Sequence, residues 1–177
     1  MRKIIIGIGG MTNGGKTTLS TNLQEVLPNS CVISQDVFFK DDSMVPVDSN
    51  GFKQYDTLDA LHMDRMMSDI ESWQKDPESF MSSRGLRVKS TGLQKPSLLM
   101  SYLTKGFSWR FPIVHAKREE DPPGYFDAYV WPMYLKNRKE MDDAVNDMVF
   151  LDGTQRQEEL HSCVLADMQE ILIVLQS

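Results

Sequence analysis

The sequence predicts an α/β fold, in which a parallel sheet is covered by helices on both faces, as a single domain over residues 1–177. The apolar run at residues 4–8 shows no polar alternation, which is typical of a buried parallel strand. A glycine-rich turn follows, and leucine and valine then recur at helical spacing over residues 19–27. A chain of 177 residues with 41% hydrophobic residues fits one domain with a substantial core.

The turn after the first strand matches the pattern G-x-x-x-x-G-K-[ST] between Gly10 and Thr17. Gly10 and Gly15 allow the backbone to approach a phosphate closely, and the N–H groups of such a turn form an anion cradle at a helix N-terminus. Lys16 can reach the β- and γ-phosphates, and the Thr17 hydroxyl can bind Mg²⁺. The motif in this context predicts a P-loop NTPase-like fold. Its predicted ATP-binding residues are Gly10, Met11, Thr12, Asn13, Gly14, Gly15, Lys16, Thr17 and Thr18.

A second short strand at residues 31–34 ends at Asp36. Ligands of open α/β sheets bind at the carboxyl ends of the strands, where the first strand also delivers the glycine-rich turn. A carboxylate at this edge can accept a proton from a hydroxyl group or bind Mg²⁺. Asp36 is therefore a candidate catalytic and metal-binding residue, and the alternative is a solvated turn residue.

Residues 37–56 show no clear periodicity and combine aromatic with charged side chains, which suggests a substrate-binding loop. Phe38 and Phe52 fit the core equally well. Residues 58–73 predict a helix capped by Asp56 or Thr57, and residues 74–95 predict a loop with a short strand near residue 87.

The second half of the chain is less regular. Residues 97–103 fit either a strand or a helix, and Pro112 interrupts the next apolar run, so we expect the fold to be locally disrupted around residues 96–120. The sequence then predicts a helix over residues 129–143, a strand over 147–151, and a final helix. Thr154 and Gln157 have the spacing of a capping box at the start of that helix.

Charge and composition limit the partners. The net charge of −6 argues against a nucleic-acid surface, and no apolar run approaches the length that spans a membrane. Cys31 and Cys163 each lie in an apolar context and are predicted to be buried thiols, and the three histidines have no metal-binding spacing. Because the predicted strand begins close to Met1, we expect no signal peptide and a cytoplasmic or nuclear location.

Several motifs together resemble the nicotinamide riboside kinases, within the uridine kinase-like branch of P-loop kinases. The resemblance runs from the first residue to about residue 95 and resumes at Asp121. Its motifs are Gly9–Thr18, Ser34-Gln35-Asp36-Val37-Phe38-Phe39-Lys40, Gly51-Phe52-Lys53-Gln54-Tyr55-Asp56, Asp121-Pro122-Pro123-Gly124-Tyr125-Phe126-Asp127, Val130-Trp131-Pro132-Met133-Tyr134 and Leu151-Asp152-Gly153-Thr154.

The resemblance implies ATP-dependent phosphorylation of nicotinamide riboside to nicotinamide mononucleotide, with ATP and Mg²⁺ as cofactors and nicotinamide riboside or a similar nucleoside as partner. It implies that Asp36 and Lys16 are catalytic and that Thr17 and Asp36 hold Mg²⁺. It implies ATP contacts from Gln155, Arg156 and Gln157 in addition to the glycine-rich turn. The implied substrate-binding residues are Asp36, Val37, Phe38, Phe39, Tyr55 and Asp56.

Between residues 96 and 120 the sequence departs from the family pattern. The family has an apolar strand ending in Glu-Gly-Phe and an arginine-rich lid, whereas this chain is shorter and has Lys105-Gly106-Phe107 and only Lys117 and Arg118. This departure predicts weak or absent activity. Two alternatives therefore stay open: a non-catalytic nucleotide-binding or interaction protein, and another small-molecule P-loop kinase such as a uridine or pantothenate kinase.

Overall fold

The structure is a computed structural model that describes residues 3–10, 14–87, 97–101, 123–144, 148–153 and 155–174. The described residues form three strands and five α-helices, with three short 3₁₀ segments and one π-helical segment. In chain order the strands and α-helices are β1 (Ile5–Ile8), α1 (Lys16–Val26), β2 (Ser30–Ser34), α2 (Met63–Lys75), α3 (Pro77–Ser83), β3 (Ser97–Ser101), α4 (Trp131–Ala144) and α5 (Gln157–Val174). The 3₁₀ segments are Gln35–Phe38, Asp42–Met44 and Leu58–Ala60, and the π-helical segment is Phe126–Val130.

The three strands form a parallel sheet in the order β1-β3-β2. β3 is the central strand, although its sequence fits a helix equally well. The expected disruption is therefore wrong for Ser97–Ser101, because this short segment bonds along its length to strands on both sides. Residues 102–120, where the disruption is otherwise expected, lie outside the described residues.

One face of the sheet packs against α2 and α3. Its core cluster includes Cys31 and Ile33 from β2 and is centred on Trp73, which is fully buried. The apolar side chains of α2 recur every three or four residues, so they form one helical face that can cover the strand. The other members of this cluster are Phe38, Met66, Ile70, Phe80 and Met81.

The opposite face packs against α1 and α5. Ile6 and Val32 lie at the same level of the sheet, because both pair with Leu99, and both belong to this second cluster. Leu23 of α1 and Met168 of α5 complete the contact between sheet and helices. Helices therefore cover both faces of the sheet, since α2 and α3 lie on the other side.

Several predicted elements differ from the observed ones. The helix predicted from residue 58 begins as a 3₁₀ turn and becomes α-helical only at Met63, and neither Asp56 nor Thr57 caps it. The predicted loop after residue 74 contains α3, because Pro77 takes the first helical position and the Asp76 side chain accepts a hydrogen bond from the Ser79 N–H at 3.1 Å.

Two further predictions near the end of the chain are wrong. Residues 148–151 do not form a strand; Val149 and Phe150 are exposed, so this segment lacks the burial that a parallel strand requires. Cys163 is exposed, because it lies on the outer side of α5, whereas Cys31 is buried as predicted. Within the described ranges, no helix is both long enough and apolar enough to cross a membrane.

Candidate active site

The glycine-rich turn connects β1 to α1 as predicted. Gly15 is in the left-handed conformation (φ 79°) at the N-cap of α1, which favours a residue without a side chain. Lys16 is buried, and a methyl group added at Gly10 would meet its Cγ atom at 3.2 Å. The Lys16 side chain therefore lies directly against Gly10. Met11, Thr12 and Asn13 lie outside the described residues, and Gly14, Thr17 and Thr18 are exposed at the start of α1.

The sheet register brings Asp36 to the same edge as this turn. Ile8 and Ser34 both pair with Ser101, and Gly10 and Asp36 each follow two residues later. Because two strand spacings separate β1 from β2, the two backbones leave the sheet about 10 Å apart. The structure thus places the glycine-rich turn and an exposed carboxylate at one edge, which is where open α/β sheets bind their ligands.

The residues around Asp36 have different environments. The Asp36 N–H donates to the Ser34 Oγ at 3.4 Å, and the carboxylate is exposed. Val37 is also exposed, with 71% of its surface accessible. The side chain of Phe38 lies in the core between β2 and α2. Of the two interpretations of its ring, substrate contact and core packing, the structure supports core packing.

Thr17 and Asp36 are the candidate ligands for Mg²⁺. A hydroxyl and a carboxylate are hard oxygen donors, and Mg²⁺ commonly uses one or two protein ligands together with substrate phosphates and water. Both side chains are exposed at the sheet edge described above. Among the described residues no group of three or more His, Cys, Asp or Glu side chains could hold a metal by itself. The donor set therefore fits an ion shared with bound phosphate.

A second group of candidate residues lies in the loop between β2 and α2. The rings of Phe39 and Tyr55 meet edge to face, with centroids 5.8 Å apart. The Tyr55 hydroxyl donates to the Asp42 carboxylate, which also pairs with the Lys53 ammonium group. The structure thus brings together two of the predicted substrate-binding side chains, and Asp42 restricts the orientation of Tyr55.

A short hairpin stabilises this loop. Val47 and Lys53 form an antiparallel bridge, and the Asp48 carboxylate accepts hydrogen bonds from the N–H groups of Asn50 and Phe52 at 2.9 and 2.8 Å. Gly51 has a φ of 84°, a left-handed conformation that suits this tight turn.

Asp56, the last predicted substrate-binding residue, is buried and contacts a distant helix. Its N–H donates to the Tyr129 hydroxyl at 3.2 Å, and its carbonyl oxygen accepts from the Asn137 side chain at 3.4 Å. Burial, opposed by the hydrogen bond from the Asp56 N–H and assisted by the charges of the Asp56 and Asp48 carboxylates, raises the pKa of Tyr129 to about 12. No motif in the sequence indicates a role for Tyr129 or Asn137.

The start of α5 approaches the phosphate turn. A methyl group added at Gly15 would lie 3.9 Å from the Gln157 Nε2 atom, so this predicted ATP-binding side chain is beside the turn. Arg156 is exposed and pairs with Glu159 on the same helix. Gln155 is exposed and its N–H donates to the Asp152 carbonyl at 3.0 Å. Thr154, predicted as part of the capping box, lies outside the described residues.

The chain is similar to three mammalian proteins over nearly its whole length. It is 44% identical to nicotinamide riboside kinase 1 of Rattus norvegicus over 192 aligned positions, which cover 97% of each chain. It is 43% identical to nicotinamide riboside kinase 2 of Mus musculus, with 97% of this chain and 98% of the relative covered. The chain belongs to the nicotinamide riboside kinase family. The human nicotinamide riboside kinase 1 is 43% identical, with 95% of this chain and 93% of the relative covered.

Family membership agrees with the resemblance in the motifs, and it means that the P-loop kinase fold applies to this chain. No family model matches the chain. The alignment with the rat nicotinamide riboside kinase has 192 positions and is longer than the 177-residue chain, so that relative contains residues that this chain lacks.

Proposed function

We propose that this chain is a nucleoside kinase that transfers the γ-phosphoryl group of ATP to the ribose hydroxyl of nicotinamide riboside, forming nicotinamide mononucleotide for NAD salvage. The observation that carries the proposal is the register of the sheet, which puts Gly10 and Asp36 at one edge. A donor of phosphate and an acceptor hydroxyl must meet within contact distance, and this edge offers one residue suited to each.

In the proposed reaction, Asp36 accepts the proton of the ribose hydroxyl as its oxygen attacks the γ-phosphorus. An oxygen–phosphorus bond forms, the bond between the γ-phosphorus and the bridging oxygen breaks, and ADP leaves. Lys16 supplies positive charge to the β- and γ-phosphates, because its side chain runs against Gly10 inside the phosphate turn. A general base of this kind contributes about 10²- to 10⁴-fold to the rate.

Mg²⁺ bound to ATP would be held by the Thr17 hydroxyl and the Asp36 carboxylate and would neutralise charge on the phosphates. The remaining ATP contacts in the proposal come from the N–H groups of residues 10–18 and from residues 155–157. The position of Gln157 beside Gly15 supports this assignment, because ATP phosphates in the turn would lie close to the start of α5.

For the riboside, we assign Phe39 to the nicotinamide ring and Tyr55 and Asp56 to contacts with the riboside. The edge-to-face contact of the Phe39 and Tyr55 rings supports this assignment, because it orients both side chains, and a planar ring can stack on a free face of either one. The same proposal includes one domain over residues 1–177, built on the sheet with helices on both faces. It also includes a reducing cytoplasmic or nuclear setting, in which Cys31 and Cys163 stay free thiols.

The test is a coupled assay of ADP release by the purified chain with ATP, Mg²⁺ and, in turn, nicotinamide riboside, uridine and pantothenate. We expect turnover with nicotinamide riboside to exceed turnover with the other two acceptors. Asp36→Asn should lower turnover by about 10²- to 10⁴-fold and leave ATP affinity within about twofold. Asp41→Asn is the matched control, because Asp41 is exposed on the same loop and its side chain caps nothing.

Three results would contradict the proposal. Preferred turnover of uridine or pantothenate would reassign the substrate, and near-normal turnover in Asp36→Asn would remove the base. ATP binding without phosphorylation of any of the three acceptors would favour the non-catalytic alternative, which is motivated by the missing arginine-rich lid between residues 96 and 120.

A further inference from the structure

Both backbone polar groups of Asp56 bond to side chains that are more than 70 residues away in the chain. The Tyr129 hydroxyl accepts from the Asp56 N–H, and the Asn137 amide donates to the Asp56 carbonyl oxygen. Asp56 and Tyr129 are both buried, so water competes little for the bond between them. The backbone of Asp56, which is proposed to contact the riboside, is thereby held from both sides.

The helix that provides these two side chains is anchored along the same loop. The Tyr125 hydroxyl donates to the Lys53 carbonyl at 3.0 Å, and the Phe52 ring packs on Tyr125 with centroids 5.4 Å apart. The rings of Tyr125 and Tyr129 are 5.2 Å apart. This aromatic cluster fixes the helix against residues 52–56, so the Tyr129 hydroxyl meets Asp56 from a rigid support.

The backbone between the two groups is also unusual. The Trp131 N–H bonds back to the Phe126 carbonyl, which widens the helix by one residue over Phe126–Val130. Pro132 follows immediately; it lacks an N–H, and its ring crowds the carbonyl four residues earlier, which opposes a regular α-helical turn there. The widened turn places Tyr129 where it reaches the loop, and α4 carries Asn137 two turns further on.

We propose that Tyr129 and Asn137 are positioning residues that set the affinity for the nucleoside acceptor by fixing the backbone of Asp56. This inference rests on the proposed function, because it takes the Tyr55-Asp56 pair as the part of the loop that contacts the riboside. Neither residue needs to touch the substrate. A shift of Asp56 would move its carboxylate and the adjacent Tyr55 ring together, and the phosphate turn lies on a different loop.

The protonation state of Tyr129 does not change in the physiological range, so its hydrogen bond to Asp56 is present throughout that range. Burial raises the pKa of Tyr129 to about 12, so the phenol is neutral throughout the physiological range. A neutral phenol can accept the Asp56 N–H bond with one lone pair and retain its own proton as a donor. The groups that face it from the loop are Asp56 and Asp48; both carboxylates oppose its ionisation, whereas the Asp56 N–H bond favours it and burial outweighs that bond.

The first experiment compares Tyr129→Phe with wild type in the ADP-release assay, with nicotinamide riboside and ATP varied separately. The variant keeps the ring and loses the acceptor of a buried N–H, so we expect KM for nicotinamide riboside to rise about tenfold. KM for ATP should stay within about twofold, and kcat should fall less than KM rises. Asn137→Ala should produce the same pattern through the carbonyl bond.

Tyr134→Phe is the matched control. It removes another buried hydroxyl from the same helix, one that accepts a hydrogen bond from Arg138 at 3.3 Å. A general loss of helix stability would affect Tyr129→Phe and Tyr134→Phe alike. The inference predicts a change in riboside KM in the first variant alone, and equal changes in both variants would overturn it.

A second measurement separates this inference from the proposed function. Amide hydrogen exchange of Asp56 should accelerate in Tyr129→Phe without any ligand, and calorimetry should show about tenfold weaker riboside binding. If wild type binds riboside but does not phosphorylate it, weaker binding in the variant supports the positioning role while the proposed catalysis fails. If wild type turns over and the variant has unchanged riboside KM and binding, the positioning role alone is wrong. Absence of riboside binding by wild type would overturn both.

Discussion

The contact between Gly10 and Lys16 can be tested with a single methyl group. In Gly10→Ala the added Cβ would lie 3.2 Å from Lys16 Cγ and 3.5 Å from Cδ, whereas ordinary contacts begin at 3.4 Å. The lysine side chain must therefore move by a few tenths of an ångström. Lys16 is buried, so its side chain has little room in which to move without displacing the ammonium group.

The magnitude follows from the sensitivity of positioned groups to displacement. A misplacement of about 1 Å in an active site can cost about 10²-fold in rate, so a shift of a few tenths should cost about tenfold in ATP affinity, or about 1.4 kcal/mol. The charge of the site is unchanged in this variant. Gly10 has a φ of 159°, a conformation that residues with a side chain rarely adopt, so the melting temperature without nucleotide should also fall.

The assay is calorimetric titration with ATP, combined with a double-mutant cycle. Lys16→Ala removes both Cγ and Cδ, the two atoms of the described residues that a methyl group at Gly10 would meet within 4 Å. Lys16→Ala itself should remove most ATP affinity, and the double variant should bind ATP no more than about twofold worse than Lys16→Ala. Additive losses, with a full tenfold effect in both backgrounds, would refute the explanation through Lys16 and would assign the effect to the backbone of the turn.

Three further predictions concern reactivity, acid stability and rate. At pH 8 a disulfide reagent should modify Cys163 rapidly and Cys31 slowly, because Cys31 is buried and desolvation raises its pKa to about 11. Rapid modification of both thiols in the native chain, or a rapid phase that remains in Cys163→Ser, would contradict this. Hydrogen bonds from the side chain and backbone N–H of Ser79 lower the pKa of Asp76 below its ordinary 3.8, so its stabilising effect is present above pH 3.8 and is lost as the pH falls through the lower folded value. Asp76→Ala should therefore melt at a lower temperature than wild type at pH 7, with a difference that shrinks on acidification, and a difference independent of pH would count against the cap. Turnover should be slower than about 1 per second, because residues 117–121 offer two basic residues followed by three acidic ones where an arginine-rich lid is expected. Steady-state turnover between about 1 and 100 per second would show that another residue supplies the positive charge.

The parts of the fold that the sequence predicts well depend on neighbouring residues. The strand, glycine-rich turn and helix around Lys16 are specified by apolar periodicity and by a motif whose parts are adjacent in the chain. The position of Asp36 at the same edge follows from a general rule for parallel sheets. Both predictions, the glycine-rich turn and the position of Asp36, required only the order of strands and helices along the chain.

The remaining features depend on distant contacts. Ser97–Ser101 reads as strand or helix in isolation, and two neighbouring strands decide its state. Tyr125, Tyr129 and Asn137 share a four-residue spacing that marks one helical face, yet nothing in that spacing indicates that the face meets Asp56. The Asp76-Pro77 helix start is visible in the sequence, but the polar residues around it favoured a loop.

The strand order also has a consequence for biosynthesis. β1 and β2 do not bond to each other in the described sheet, because β3 separates them. Chain emerging from a ribosome would therefore have two strands with unpaired edges until residue 101 had been released and could insert between them. Exposed strand edges promote association between chains, and central strands that arrive late make folding slower. The N-terminal half, which holds the phosphate turn and the proposed base, thus depends for its assembly on a short segment encoded well after both.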